Sequence, residues 1–339
     1  MRSDFGSIQR LGQDRYRIFW TDAGRRRSKR VNGTRDDAVK ELARAYLQTG
    51  HVSRSITWTR YWSDVIEPSF GRLAEKTAYE YRRIWKRELC PRMGGALVSE
   101  TTWRQVDRLL GEIESPSVQR AAYRLLKKLC NLAIRDGLLD ANPVKDVKLK
   151  EHRKRQKTLV ALDDVRSFLR FVEGFEYGYI PVMELGGGLR HEEACAITAS
   201  DVEVSDRYAV LSVSKALVDV GGISVLKDTK TGSSGREVAL GEPFRRALLR
   251  WELPKTVESL PRADTVTKAW RRYRKGPWEE LRLGDLRTSF SMLHAEAGTD
   301  GAIVSMLMGH SGGSTRERNY MQANRRILEM AADILTDAV

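Results

Sequence analysis

Residues 281–320, LRLGDLRTSFSMLHAEAGTDGAIVSMLMGHSGGSTRERNY, carry the pattern that decides how the chain is read. Leu286, Phe290, Leu293 and Ala297 recur at helical spacing and make one apolar face, with Gly298 as a natural stop. Ile303 to Met308 forms a second apolar piece, ended by Gly309. Asp285, Arg287, His310 and Tyr320 are left on the edges of these pieces, where apolar packing does not account for them. An arginine near a helix start is more often a surface ion pair than a ligand. An arginine, a histidine and a tyrosine presented together can hold a phosphate and attack it.

A second string works with the first. In Gly186-Gly-Gly-Leu-Arg190-His-Glu-Glu193 the glycines permit close backbone approach, and the helix start that follows favours an anion. Arg190 and Glu193 lie three apart, so the carboxylate can orient the guanidinium. Arg190 and Arg287 can each hold a non-bridging oxygen of one phosphodiester and stabilise its transition state by charge alone. That chemistry needs neither a metal nor a cofactor, and no acidic metal cluster is apparent.

The strings GDLRTSF and MGHSGGSTRERNY resemble the C-terminal signature of the tyrosine recombinases, the phage-integrase family. The upstream GLRHEE string, followed by Ile197 and by Asp201-Val202, resembles that family's Gly-Leu-Arg-x-x-Glu string. The likeness is firm over residues 158–325 and softer upstream. It implies a site-specific recombinase that cleaves and rejoins DNA through a 3′-phosphotyrosyl intermediate, integrating and excising a phage or mobile element. Carried over residue by residue, Arg190, Lys230, Arg287 and His310 are catalytic, Tyr320 is the nucleophile and Glu193 supports them. Lys230, in the Thr-Lys-Thr context of KDTKTGSSG, takes the general-acid role at the leaving 5′ oxygen, with Lys227 and Lys215 as competitors.

Two departures from the family pattern stand out. Gly284 occupies the place of the family's first histidine, and the gap from His310 to Tyr320 is one residue longer than the commonest form. His294 is a poor replacement, because it lies roughly 10 Å along a helix from Arg287. Gly284 is the one support for an alternative reading, a DNA-binding regulatory protein with an impaired recombinase domain. Topoisomerase-like relaxation is a third reading that shares the chemistry.

The chain has 339 residues, of which 41% are hydrophobic, enough to bury more than one core. Its net charge of +14 points to a polyanionic partner, since the basic residues cluster rather than scatter. Cys90, Cys130 and Cys195 are widely spaced, which argues against a disulfide framework or zinc site and for a reducing cytoplasm. No apolar run suits a membrane span or a signal core.

Taken in order, the sequence predicts a multidomain α+β chain. Residues 1–50 read as a small sheet-plus-helix domain: strands at 16–20 and 25–31, a turn at Asp22-Ala-Gly24, and a helix capped by Thr34 with Asp37 in the box position. Val39, Leu42, Ala43 and Tyr46 are its expected apolar face. Arg25, Arg26, Arg27, Lys29 and Arg30 make the second strand basic, and the layout resembles the arm-binding domain of lambda-type integrases. A polar connector at 51–55 leads to residues 56–147, which read as an all-α core-binding domain. Pro68 and Pro91 are its expected helix stops, and Arg82 and Arg83 lie among its basic faces. Residues 148–157 compose a basic linker, either a solvated charge run or a strap whose Lys154 and Arg155 cross phosphates between two DNA-facing domains.

Residues 158–339 read as a mixed, mainly α catalytic domain. Its small antiparallel sheet is expected from strands at 208–213, 222–226 and 236–240, with residues 227–235 as the hairpin tip between the last two. The tail helix, with Ile327, Met330, Ile334 and Leu335 on one side, packs on its own domain or, by the family likeness, on a neighbour. The likeness further implies double-stranded DNA with core-type and arm-type sites, a homotetramer on DNA, and DNA-bending and directionality proteins as partners. Deleting residues 1–50 should therefore leave cleavage of a core site intact while impairing complete integration. Equal integration by the truncated chain would exclude an arm-binding role.

Overall fold

The computed structural model describes residues 6–22, 25–48, 55–151, 155–228, 235–309 and 325–339. The chain divides into two compact units, one up to residue 154 and one from Arg155 onward. The expected connector at 51–54 and the turn residues Ala23 and Gly24 lie outside the described residues.

The first unit contains two separate cores. Strands β1 (Gly6–Gly12), β2 (Arg15–Asp22) and β3 (Arg25–Asn32) pair antiparallel in that order. Helix α1 (Arg35–Gln48) covers one face, where Ile18, Val31, Ala38, Leu42 and Ala45 are buried. The cap is as expected: Thr34 Oγ1 accepts from the Asp37 N–H at 3.3 Å, and Asp37 Oδ2 accepts from the Thr34 N–H at 2.9 Å. Strand β1 was not anticipated, because its few apolar residues give no alternation and its order comes from backbone pairing. Of the expected apolar face of α1, Leu42 is buried and Val39 is 46% exposed, while the side chains of Ala43 and Tyr46 lie outside the described residues; Ala38 and Ala45 join Leu42 in the packing. Alanine is a weak sequence signal, but at this close approach a small residue is what fits.

The second core belongs to the helical residues 56–149. α2 (Trp58–Tyr61) widens into a π turn at Trp62–Ile66 and tightens into a 3₁₀ turn at Glu67–Arg72. α3 (Glu75–Ile84) runs likewise through a π turn at Trp85–Leu89 into α4 (Cys90–Met93). Pro68 and Pro91 thus do not stop their helices. In each case the residue before the proline donates to a carbonyl five back, Glu67 to Trp62 and Cys90 to Trp85. The widened turn relieves the clash that a proline ring makes with the helix behind it. Trp62 and Trp85, which open the two π turns, stack at 4.6 Å in the core. α5 (Trp103–Gly111) and α6 (Pro116–Arg135) complete the layer, and Gly137 at φ 70° turns the chain away. The segment read as linker begins inside this unit. Leu149 packs on the core, the Lys150 N–H donates to Gln119 Oε1 at 2.8 Å, and Lys150 Nζ donates to Ile113 O at 2.8 Å.

The second unit is built around α8 (Tyr179–Gly187), every residue of which is buried, as an all-round apolar helix must be. α7 (Val165–Val172) precedes it and α9 (His191–Ala194) follows. The strands differ from expectation. β4 (Val202–Val204), β5 (Ala209–Val213) and β8 (Arg236–Leu240) form one sheet, while β6 (Lys215–Val220) and β7 (Ile223–Asp228) form a separate hairpin. Gly221 and Gly222, at φ 63° and 90°, make its two-residue turn, so the tip is there and not at 227–235. β7 and β8 are not paired with each other, and residues 229–234 lie outside the described residues.

Helices α10 (Phe244–Leu248), α11 (Ala263–Tyr273), α12 (Leu283–Glu296), α13 (Gly301–Met308) and α14 (Arg325–Ala338) close the core. α14 packs on its own unit through Leu328, Ala331, Ala332 and Leu335, whereas Met330, expected on the packed side, is 44% exposed. Among the described residues no helix is long and apolar enough to cross a membrane.

His294 in α12 is 2% exposed, its Nδ1 is 2.9 Å from Thr299 Oγ1, and burial pushes its pKa down to about 4. Unfolding restores an ordinary imidazole, so the unfolded chain takes up the proton first. The stability that depends on a neutral ring is full above pH 6.5 and is lost as the pH falls toward about 4. The loss is on the order of 3 kcal/mol. His294→Gln should shrink the drop in melting temperature between pH 7 and pH 4.5, and an unchanged drop would contradict this account.

Candidate active site

The site is assembled where α8 ends. Gly188 caps that helix at φ 62°, and a Cβ there would meet the Phe290 ring at 2.5 Å. No side chain fits. The chain then presents Arg190, whose N–H donates to Glu193 Oε2 at 2.9 Å and whose Nη1 donates to Glu193 Oε1 at 2.7 Å. His191 is locked beside it, with Nδ1 2.7 Å from the buried Glu184 carboxylate and Nε2 3.0 Å from Ala263 O.

Glu193 is 3% exposed and serves more than Arg190. Arg236, the first residue of β8, donates from Nη2 to Glu193 Oε2 at 2.8 Å, and Arg287 Nη1 lies 3.9 Å from the same oxygen. Burial pushes the Glu193 carboxyl up. Arg236 and then Arg190 outweigh that and hold it below the ordinary range. Burial, and next the neighbouring Arg190 charge, push Arg287 down to about 10.

The same three arginines grip the end of α13. Arg236 Nε donates to Leu307 O at 2.6 Å, Arg287 Nη2 to Met308 O at 2.5 Å, and Arg190 Nη2 to Gly309 O at 3.2 Å. These are consecutive carbonyls at a helix C-terminus, which lack helical partners and carry the negative end of the dipole. Arg287 also donates from Nη1 to Gly188 O at 2.5 Å, tying α12 to the turn after α8. A guanidinium has more N–H donors than these contacts use, so the arrangement orients the arginines and still allows them to meet an anion. Gly309 leaves the helix at φ 63°, directly before His310.

The structure therefore brings together Arg190, Glu193 and Arg287. Lys154, Lys230, His310 and Tyr320 lie outside the described residues, as does the side chain of Arg25. Of the lysines that compete with Lys230, Lys215 is tied to Asp201 at 3.0 Å. Arg236 was missed. Its one sequence signal was an arginine opening an alternating strand, which reads as solvated until its burial is known.

Other basic residues are placed less simply. Arg155 pairs with the buried Asp285 carboxylate and donates to Glu280 O at 3.3 Å, so it anchors the start of the second unit to α12 rather than standing as an open strap. Arg82 pairs with Glu67 and Arg83 with Glu80. On the sheet, Lys29 pairs with Glu41 of α1. Arg26, Arg27 and Arg30 are exposed. On the face away from α1, Arg26 and Arg17 lie over the Phe19 ring at 4.8 and 5.5 Å.

Gly284 sits in the first turn of α12, and a Cβ added there meets nothing within 4 Å. Its φ is not left-handed. It opens onto a cleft of about 390 Å³ lined by His191, Thr267, Trp270, Arg271, Arg274 and Arg282. Among the described residues no group of His, Cys, Asp and Glu could hold a metal ion.

No protein-family model matches the chain. The integrase of Mycobacterium phage D29 is 25% identical over 283 residues, covering 76% of this chain and 73% of that protein. The integrase of Mycobacterium phage FRAT1 is also 25% identical, over 76% of this chain and 82% of that one. Among solved structures, the Tn1549 transposon integrase in complex with a circular intermediate DNA superposes with a TM-score of 0.61 at 20% identity, over 78% of this chain and 95% of that one. A lambda integrase dimer bound to a core site gives 0.56 at 17% identity, over 95% and 96%. The chain is thus similar in sequence to phage integrases and in fold to the Tn1549 and lambda integrases.

The open space at Gly284 has a direct consequence if the site cleaves DNA as its likeness to integrases implies. A histidine introduced there has room, and the surrounding arginines disfavour its protonation, which suits a base. Gly284→His should leave the melting temperature unchanged and speed cleavage at least about tenfold, toward the 10²–10⁴ that a positioned base supplies. A stable variant that cleaves no faster would mean that another group already does this work.

Proposed function

We propose that the chain is a site-specific DNA recombinase that cuts and rejoins strands by transesterification at tyrosine. The observation that carries this reading is the convergence of Arg190 and Arg287 on one buried carboxylate, directly beside the helix end that leads to His310. Two guanidiniums held this way would bind the non-bridging oxygens of a scissile phosphate and stabilise the added charge of its transition state. His310 would hydrogen-bond the same phosphate. Tyr320 Oη would attack phosphorus as the P–O5′ bond breaks, and Lys230 would give its proton to the departing 5′ oxygen. The 3′-phosphotyrosyl link keeps the ester's energy, so a 5′-hydroxyl from a second strand reverses the step and joins it.

The domains divide the remaining work. Residues 1–50 would bind arm-type sites with the sheet face formed by Arg17, Phe19, Arg26 and Arg30. The ring at its centre could meet bases or sugars while the guanidiniums meet phosphates. Residues 56–147 would clamp the core site with the basic sides of α3 and α6, where Arg82, Arg83, Arg120 and Arg124 lie. Binding by both should weaken steeply with salt through counterion release. The active assembly would be a tetramer on two duplexes, helped by DNA-bending and directionality proteins, in a bacterial cytoplasm.

Tyr320→Phe should keep DNA binding and give no covalent protein–DNA adduct on denaturing gels. An adduct formed by this variant would move the nucleophile elsewhere. Tyr273 is poorly placed to take over, since its hydroxyl donates to Phe171 O at 2.5 Å within an aromatic cluster.

A further inference from the structure

Where α11 ends and α12 begins, the second unit has a cleft of about 390 Å³ that the proposed chemistry does not employ. That volume is within the range of about 300–1,000 Å³ usual for ligand sites. Trp270 forms part of its wall and donates from Nε1 to Leu281 O at 2.8 Å. His191 forms another part and is already engaged, with its ring nitrogens 2.7 Å from Glu184 Oε1 and 3.0 Å from Ala263 O. The other polar residues of the lining are Thr267, Arg271, Arg274 and Arg282. Among the described residues no acidic side chain lines it.

That absence sets the cleft apart. Elsewhere on this unit arginines meet carboxylates: Arg207 pairs with Asp333, Arg250 with Glu173 and Arg262 with Asp219. Another basic cleft, between α7 and α10, holds Arg166, Arg170, Arg246 and Arg250, but Glu173 lines it and pairs with Arg250, and Arg246 pairs with Glu242. Arg271, Arg274 and Arg282 have no carboxylate partner among the described residues. Arg274 is half-buried and donates from Nη1 to Leu281 O at 3.1 Å, which fixes the group and leaves further N–H donors over. The dipole of α11 favours Arg271 and Arg274 at its C-terminal end. Arg282 is the N-cap of α12, where the positive end of the dipole disfavours a cation. Three like charges around one cleft focus their field on it and attract an anion.

The cleft adjoins the proposed site of reaction. His191 follows Arg190 directly, and Gly284, which opens onto the cleft, precedes Arg287 by about one helical turn. We propose that the cleft is a second phosphate subsite, in which Arg271, Arg274 and Arg282 hold one backbone phosphate of the DNA, separate from the phosphate assigned to Arg190 and Arg287. The choice of DNA as the ligand rests on the recombinase reading. Guanidiniums suit a phosphodiester because each presents parallel N–H donors to its non-bridging oxygens. Such a contact positions the duplex and carries no base specificity.

The experiment measures the affinity of the full chain for a duplex of about 20 bp and arbitrary sequence between about 50 and 300 mM salt, where each neutralised phosphate adds about 0.9 to the steepness of log K against log salt. The variant Arg271→Gln/Arg274→Gln/Arg282→Gln should give a slope shallower by about 0.9, the loss of one phosphate. Should that variant melt below the parent, Arg282→Glu asks the same question from an exposed position. Its carboxylate takes the place of the phosphate between Arg271 and Arg274, and the slope should again fall by about 0.9. An unchanged slope in the folded variants would overturn the subsite, because a phosphate still held by Arg190 and Arg287 does not register as lost. A fall of roughly 2.7 in the triple variant would overturn it too, since three separate phosphates would then be involved. The control is Arg246→Gln/Arg250→Gln in the matched cleft, which should leave the slope as it is. An equal fall there would mean that net charge, and not this cleft, sets the slope. If the parent itself shows no salt dependence, DNA binding is the reading that fails, and the subsite falls with it.

Discussion

Three guanidiniums gathered around one carboxylate repel, and the second unit is organised around offsetting that repulsion. The buried Glu193 carboxylate is the shared counter-charge. The consecutive carbonyls of Leu307, Met308 and Gly309 supply the rest, through the negative end of a helix. Burial first, and then the neighbouring Arg190 charge, push the pKa of Arg287 down to about 10. In the proposed reaction a phosphodiester would enter this positive cluster and be held by it.

The packing around this cluster explains several otherwise separate features. Gly188 must lack a side chain because Phe290 presses on it, and the same contact brings the Gly188 carbonyl within reach of Arg287. α8 is apolar on every side because it carries this turn from within the core. Asp285 is buried at the start of α12, where it caps the helix from Arg282 and receives Arg155. The helix that bears Arg287 is thereby held at its first turn, through the ion pair, and near its C-terminal end, through the buried His294.

The amino-acid pattern made several local elements legible and the contacts between distant segments less so. The spacing of Leu286, Phe290 and Leu293, the stops at Gly298 and Gly309, and the Thr34–Asp37 cap are local signals, and the structure bears them out. The misreadings involve contacts between distant segments. Pro68 and Pro91 read as stops because nothing local announces a π turn. Residues 215–220 were not seen as a strand, so the hairpin was placed at 227–235 instead of at Gly221-Gly222. Arg155 read as part of a strap on phosphates and Arg236 drew no role, since burial beside Asp285 or Glu193 depends on residues many positions away. A carboxylate that serves three partners looks in sequence like a partner of the nearest one.

The end of α13 and the start of α14 are both secured by guanidiniums. Arg190, Arg236 and Arg287 hold three consecutive carbonyls at the first, and Arg325 pairs with Glu203 at the second. Charge-assisted contacts, and not apolar packing alone, therefore set where these two helix ends lie in the unit.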